Sequence, residues 1–485
     1  IIEHAPEHGT TASQIDRFVA EAYFFRAYAY YQLVCKFGGV PILVNTAGDI
    51  DDPILYGPRA SREEVMTRIY TDLNLAAREL PLPSALADGE FGRISRTAAQ
   101  AFKARAALYE GTRRKFHGEE QAEPHLKIAY EAADSVIQSG EHTLYTKGTQ
   151  PYKDLFEYTG EEASEHVLVK LYGYQETQLL THNYPYQMAV NYGVSRNFLN
   201  LYLNDTGLPF EDDPSLQLTY NDYFDGRDPR LAETALRRGV NTYQFGPFVP
   251  YAQSRTGFGI RKYVRNDGVT DQPSTLDYPL LRYAEVLLTY AEARFEHDGI
   301  ISDEDLNRTV NALRDRVGMS NLILDDANKN PDPYLSDAKT GYPNVTGANK
   351  GVILEIRRER TIELAMEGFR YYDIMRWKEG KTFEQPLLGL YIPAKGEYDI
   401  DGDGTPDVYF ATKGETPSTT AKLTLVIDQD ILFSDGDHGY ISPHKNNPGI
   451  WDETRDYFYP IPTDDRSLTG GALTQNPGWN DGLNF

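Results

Sequence analysis

Cysteine is almost missing from this chain: 485 residues contain one, Cys35. A single thiol excludes an internal disulfide and a cysteine-based zinc site. Its place in an apolar helical pattern reads as a small buried group, and it leaves the compartment open. Basic residues are the minority charge, 48 Lys and Arg against 72 Asp and Glu, for a net charge of −24. No basic run is present, which argues against a nucleic-acid partner and against electrostatic attachment to an anionic membrane. No apolar run approaches the length of a membrane span. The ten histidines form no HExxH and no paired metal spacing. "GFGIRK" lacks the third glycine of a dinucleotide fingerprint, and neither a P-loop lysine motif nor a Gly-x-Ser-x-Gly elbow occurs.

What is abundant is tyrosine: 35 Tyr against 21 Phe and 3 Trp. Tyrosine has a flat apolar face and a polar tip, which suits cores and wet recognition surfaces alike. Hydrophobic residues make up 40% of the chain, enough for a sizeable core. In "QIDRFVAEAYFFRAYAYYQLVCK" (14–36), Ile15, Phe18, Ala22, Phe25, Ala29 and Leu33 recur at spacings of three and four. Val19, Tyr23, Tyr30 and Val34 line the adjoining face, so this helix needs cover on two sides. Gly38-Gly39 and Pro41 end it. A second helix starts at Ser61 with Glu64 at capping-box spacing. An alanine-rich third spans about 95–114, and a fourth ends on Gly140. Short helices that each need two neighbours describe a mainly α fold, an α-solenoid of the tetratricopeptide kind with a period of about 34 residues.

From about 146 to 277 helical periodicity fades into Tyr, Asn, Gly, Asp and Pro. Helices return over 278–299, 303–319 and 350–378, and from 381 the chain is irregular again. With no clean linker, the expectation is one interlocked domain over 1–485: a helical core over 14–145 and 278–380, and a loop-rich, ligand-facing region over 146–277 and 381–485.

Two acidic constellations carry chemistry. In "LEIRRERTIELAMEGFRYYDIMRW", Glu359, Glu363 and Glu367 stand four apart, on one face of a helix. A Glu pair serves glycoside hydrolysis. Arg360 and Arg370 fall within reach, however, and an acid flanked by Arg loses the proton a general acid must donate. The set therefore reads as structural ion pairs, with Gly368 letting another helix approach. In "YDIDGDGTPDVYF", Asp399, Asp401, Asp403 and Asp407 occupy alternate ligand positions of a loop, with Gly404 at the turn and the Thr405 carbonyl in line. Phe410 stands where an EF-hand carries its bidentate Glu. The loop reads as a structural Ca²⁺ site that takes a last ligand from elsewhere, or as an acidic solvated turn.

Several stretches together resemble the SusD/RagB family of surface-exposed outer-membrane binding lipoproteins of Gram-negative bacteria. They are "RFVAEAYFFRAYAYYQLVCKFGGVPIL", "YPLLRYAEVLLTYAEAR", "LNRTVNALRDRVGM", "ILEIRRERTIELAMEGFRYYDIMRW" and "PIPTDDRSLTGGALTQNPGW", with echoes in "RDPRL" and "GFGIRKYV". They run in the family's order from about residue 14 to the end. The resemblance implies a right-handed tetratricopeptide-like core with an irregular ligand-binding face. It implies capture of oligosaccharides, or of peptides in some relatives, for a SusC-like TonB-dependent transporter docked on the broad helical face. It also implies a lipid anchor on an N-terminal part that is not in this chain. Cys35, inside a helix, is not the anchor cysteine. No catalytic residue and no organic cofactor is expected. Aromatic faces and amide or guanidinium groups that would hold a sugar stand together in the middle region: Tyr184, Tyr186, Tyr192, Tyr243, Phe248 and Tyr251 beside Asn183, Asn191, Gln244 and Arg255. The reading from another class is a helical glycoside hydrolase using the Glu pair.

Overall fold

A computed structural model of the chain describes residues 12–43, 45–175, 178–214, 220–237, 240, 254–264, 272–400 and 402–483. The first four helices are α1 (Ala12–Phe37), α2 (Arg62–Glu79), α3 (Arg96–His117) and α4 (Ala122–Ser139). The capping box at the head of α2 is formed in both directions: Ser61 Oγ accepts from Glu64 N, and a Glu64 carboxylate oxygen accepts from Ser61 N at 2.7 Å. Gly140 takes the left-handed conformation that stops α4. Only four residues join α3 to α4, so the two pack as an antiparallel hairpin. The alanines of α3 (Ala98, Ala101, Ala104, Ala106) are buried between neighbours, because a short side chain lets two helix backbones approach.

The stretch 278–299 is not one helix. "YPLLR" forms strand β2 (Tyr278–Arg282), paired antiparallel with β1 (His166–Lys170); helix α6 (Tyr283–Asp298) follows and packs on α4. Pro279 cannot donate a helical hydrogen bond, and the strand buries Leu281 and Arg282 against the core instead. Helix α5 (Tyr184–Asn191) lies in the irregular stretch between the two strands. The stretch 303–319 is also divided, into Asp303–Arg308 and Val310–Arg316 about an irregular Thr309.

Helix α7 (Lys350–Glu363) ends before the third glutamate, and α8 (Arg370–Arg376) begins after a turn in which Met366 and Gly368 have φ of +62° and +84°. Gly368 is needed for that left-handed turn and not for helix approach, since a Cβ there would meet nothing within 4 Å. Among the described residues the sheets are small, of two or three strands. The three-stranded one joins β3 (Gly396–Tyr398), β4 (Val408–Ala411) and β5 (Leu423–Val426). The architecture is helical, with the two largest cores formed between α1–α4 and the β1/β2 pair, and between residues 188–264 and 335–441. Among the described residues no helix is long and apolar enough to cross a membrane.

Candidate ligand-binding cleft

The glutamates that invite an enzymatic reading are sealed. Glu359 and Glu363 are fully buried, and Glu363 bonds both Arg316 (2.7 Å) and Arg282 (2.8 Å), with Arg230 at 3.0 Å. Glu367, off the helix end, turns back onto Arg282 (2.6 Å) and Lys262 (2.8 Å). Glu165 closes the set through Arg282 and Arg316. Burial by itself would raise the Glu363 carboxyl; the guanidiniums of Arg316, Arg282 and Arg230 outweigh it and hold the group well below the usual carboxylate range. The ion pairs are real, but their partners are not the sequence neighbours. Arg360 bonds Asp373, and Arg370 bonds the Tyr342 hydroxyl and Thr361. A glutamate permanently ionised and cut off from solvent cannot serve as a general acid.

The open site lies elsewhere, where the chain leaving α5 meets the loop 254–258 and the C-terminal segment 425–444. Gly193 makes this junction possible: a Cβ there would lie 2.2 Å from Ser254 Oγ and 2.8 Å from the Phe258 carbonyl. The loop is locked by its own hydroxyls. Ser254 Oγ donates to the Phe258 carbonyl (2.8 Å), and Thr256 Oγ1 donates to the Val194 carbonyl (2.7 Å). Leu390 N donates to the Thr256 carbonyl, and Ile441 N to the Leu390 carbonyl, which ties the C-terminal segment to the same frame. The result is a cleft of about 850 Å³. Leu425, Ile431 and Ile441 line it from the core side; Tyr192, Arg255, Gln429 and His444 are exposed at its rim. Tyr192 is 55% exposed, so its ring is available to a ligand.

Of the ten residues expected at the site, the structure brings Tyr192 and Arg255 together in this cleft. Tyr184 is placed differently. Its ring meets Tyr263 and Tyr278 edge-on at 5.2 and 5.6 Å, and its hydroxyl donates to the Met366 carbonyl. Tyr186 is half-buried against the core, and Asn183 is exposed at the start of α5. Tyr243, Gln244, Phe248 and Tyr251 lie outside the described residues, as does the side chain of Asn191. No sequence spacing connects Gln429, Asp430 and His444 with residue 192; the fold alone brings them to this cleft.

The acidic loop is exposed and tied to its own backbone. Asp399 accepts from Gly404 N (2.9 Å), and Asp403 accepts from Thr405 N (2.7 Å). Asp407 is buried and accepts from Ile400 N and Lys422 Nζ, each at 2.9 Å. Asp401 lies outside the described residues; among those described, no three His, Cys, Asp or Glu side chains form a group able to hold a metal ion.

The regularly spaced carboxylates are thus locked inside the helix array, and a polar cleft with Tyr192 at its rim opens among its loops. Residues 159–479 match the SusD family, and residues 2–108 match a family described as starch-binding associating with outer membrane. The chain is 25% identical over 474 residues to a SusD-like protein of Bacteroides ovatus, covering 96% of this chain and 73% of that one. It is 27% identical over 387 residues to SusD-like protein P2 of Formosa agariphila, covering 77% and 68%. Among solved structures, a SusD-like carbohydrate binding protein of Bacteroides fragilis superposes with a TM-score of 0.70 at 24% identity, over 96% of this chain and 82% of that one. A second solved structure, described as with xylogluco-oligosaccharide, has a TM-score of 0.61 at 21% identity, over 100% of this chain and 86% of that one. The chain belongs to the SusD family.

Proposed function

We propose that the protein captures oligosaccharides at the surface of a Gram-negative outer membrane, held there by a lipid anchor, and passes them to a SusC-like TonB-dependent transporter. One observation carries the ligand class: Tyr192 and Arg255 stand at the rim of an 850 Å³ cleft with Gln429, Asp430 and His444. A pyranose ring presents flat C–H faces to an aromatic ring and hydroxyls to amide, imidazole and guanidinium groups, and this rim offers both. The carbohydrate-binding and xylogluco-oligosaccharide descriptions of two structural relatives support the same reading. The broad face of the helix array is the surface proposed for the transporter, because a stable contact needs a large and rigid patch.

A glycan array tests the ligand class, followed by calorimetry on variants. Tyr192→Ala and Arg255→Ala should each weaken oligosaccharide binding about tenfold, the loss expected for one stacking or charged hydrogen-bonding contact. Binding unchanged in both variants, or selective binding of peptides in place of glycans, would overturn the proposal. Co-purification of the anchored protein with a TonB-dependent transporter from outer membranes tests the partner.

For the loop 399–407 we propose a structural Ca²⁺ ion. Asp399, Asp403 and the Thr405 carbonyl would supply hard oxygen donors, with Asp401 between them in the chain, and Asp407 would join them on leaving Lys422 and Ile400 N. The ion would stiffen the turn between β3 and β4 and take no part in ligand chemistry.

A further inference from the structure

The chain is rich in acids, 72 Asp and Glu against 48 Lys and Arg, and its arginines are almost all answered. Arg59, Arg96, Arg227, Arg261 and Arg370 meet no carboxylate, yet each donates to a carbonyl or hydroxyl oxygen. Among the described residues one arginine stands apart. Arg255 is exposed, and its guanidinium bonds no carboxylate, carbonyl or hydroxyl of the protein. The histidines repeat the pattern. Every other described histidine bonds at least one oxygen, as His117 does the Met375 carbonyl and His182 the Leu276 carbonyl. The imidazole of His444, also exposed, bonds none. Both unanswered groups line the Tyr192 cleft.

The acid in the same cleft does not answer them. Asp430 accepts from Val426 N (2.8 Å), which closes the turn after β5, and it forms no ion pair with Arg255 or His444. Arg255 is also rooted on fixed backbone, because its neighbours Ser254 and Thr256 are buried and bonded through their hydroxyls to the Phe258 and Val194 carbonyls. A planar guanidinium held this way matches the paired oxygens of a carboxylate or a sulfate ester. We propose that the cleft selects acidic glycans: the sugar ring lies against Tyr192, its carboxylate or sulfate ester meets Arg255, and His444 supplies a further N–H donor. This inference rests on the carbohydrate reading of the cleft and names the class of sugar. The acid excess over the rest of the chain repels a polyanion, so retention of one reports a local site and not bulk attraction.

Affinity electrophoresis of the full chain with matched polymers tests this. The probes are polygalacturonate and its carboxyl-reduced form, κ-carrageenan and its desulfated form, and neutral xyloglucan. At least one acidic polymer should be held about tenfold more tightly than its neutral counterpart, polygalacturonate if the anion is a carboxylate and carrageenan if it is a sulfate ester. Arg255→Gln, at an exposed side chain, should bring that ratio to within about twofold of unity. Arg255→Lys should keep part of the preference, since it keeps the charge and loses the planar fork. His444→Gln should lower the ratio by a smaller factor, about threefold. Neutral polymers held as tightly as acidic ones, with binding still sensitive to Tyr192→Ala, would overturn the acidic selection and keep the carbohydrate cleft. An acidic preference that survives Arg255→Gln would overturn the assignment to this cleft. Absence of binding to all five polymers would overturn both readings.

Discussion

Two sets of carboxylates in this protein look alike in sequence and differ in burial and in partners, Asp407 excepted, which is buried beside Lys422. Glu359, Glu363 and Glu367 recur at a helical spacing, and Asp399, Asp401, Asp403 and Asp407 recur along a loop. The first set is buried and answered by Arg230, Arg282, Arg314, Arg316 and Lys262. Asp399 and Asp403 of the second set are answered by backbone amides in water-facing turns. Spacing alone says that acids can act together. Burial and the identity of the partner decide whether they brace a core, hold an ion or donate a proton.

The sharpest way to test that contrast is to break one member of the buried set. Arg282→Ala removes the one cation that bonds Glu165, Glu363 and Glu367 together, leaving the first two on Arg316 and the third on Lys262, and should cost about 3–5 kcal/mol, read as a large fall in the thermal midpoint. A loss under about 1 kcal/mol would mean that water reaches these groups. The same network predicts acid lability. Glu363 and Glu367 have depressed pKa values, burial being outweighed by Arg316 and Arg282 for Glu363 and by Arg282 and Lys262 for Glu367. Their contribution is present above the unfolded carboxylate pKa, roughly 4.3, and is lost as pH falls through the lower folded values. Unfolding followed from pH 6 downward should show stability dropping steeply below about pH 4.

A third measurement separates paired from unpaired buried acids. Burial pushes Glu379 up to about 7, with Arg357 and Arg370 opposing it only in part. Because this pKa is raised, the group's contribution is complete below the unfolded value and disappears as pH rises through about 7. Glu379→Gln should therefore flatten the decline in stability between pH 5 and pH 8; an unchanged slope would show that Glu379 is ionised throughout. The smallest effect belongs to the exposed loop. Asp399→Asn should cost less than about 1 kcal/mol in the absence of metal, since its bonds are water-facing. Added Ca²⁺ should raise the midpoint of the parent protein by a few degrees and that of the variant by less. Equal shifts in both would argue against calcium at Asp399.

The helical frame was legible because helices announce themselves locally. The Ser61–Glu64 capping box, the Gly140 stop and the alanines of α3 each act within a few residues, and all three appear as expected. The divided stretches were not legible. "YPLLR" has a helix-like apolar pattern, and only the presence of His166–Lys170 beside it makes it a strand. The cleft was half legible. Tyr192 and Arg255 belong to a tyrosine-rich region that looks like a ligand face, but the same composition placed Tyr184 in the core, where its hydroxyl found a backbone carbonyl. Gln429 and His444 come to the rim through the Leu390–Ile441 pairing, a contact between segments far apart in the chain.

By itself the sequence determined a helix-rich frame, because amphipathic period, caps and composition are written in neighbouring residues. The tertiary structure alone decided which arginines answer Glu363, which tyrosines face solvent and where the cleft opens. Those outcomes depend on distant segments competing for the same buried space, and no local pattern encodes that competition.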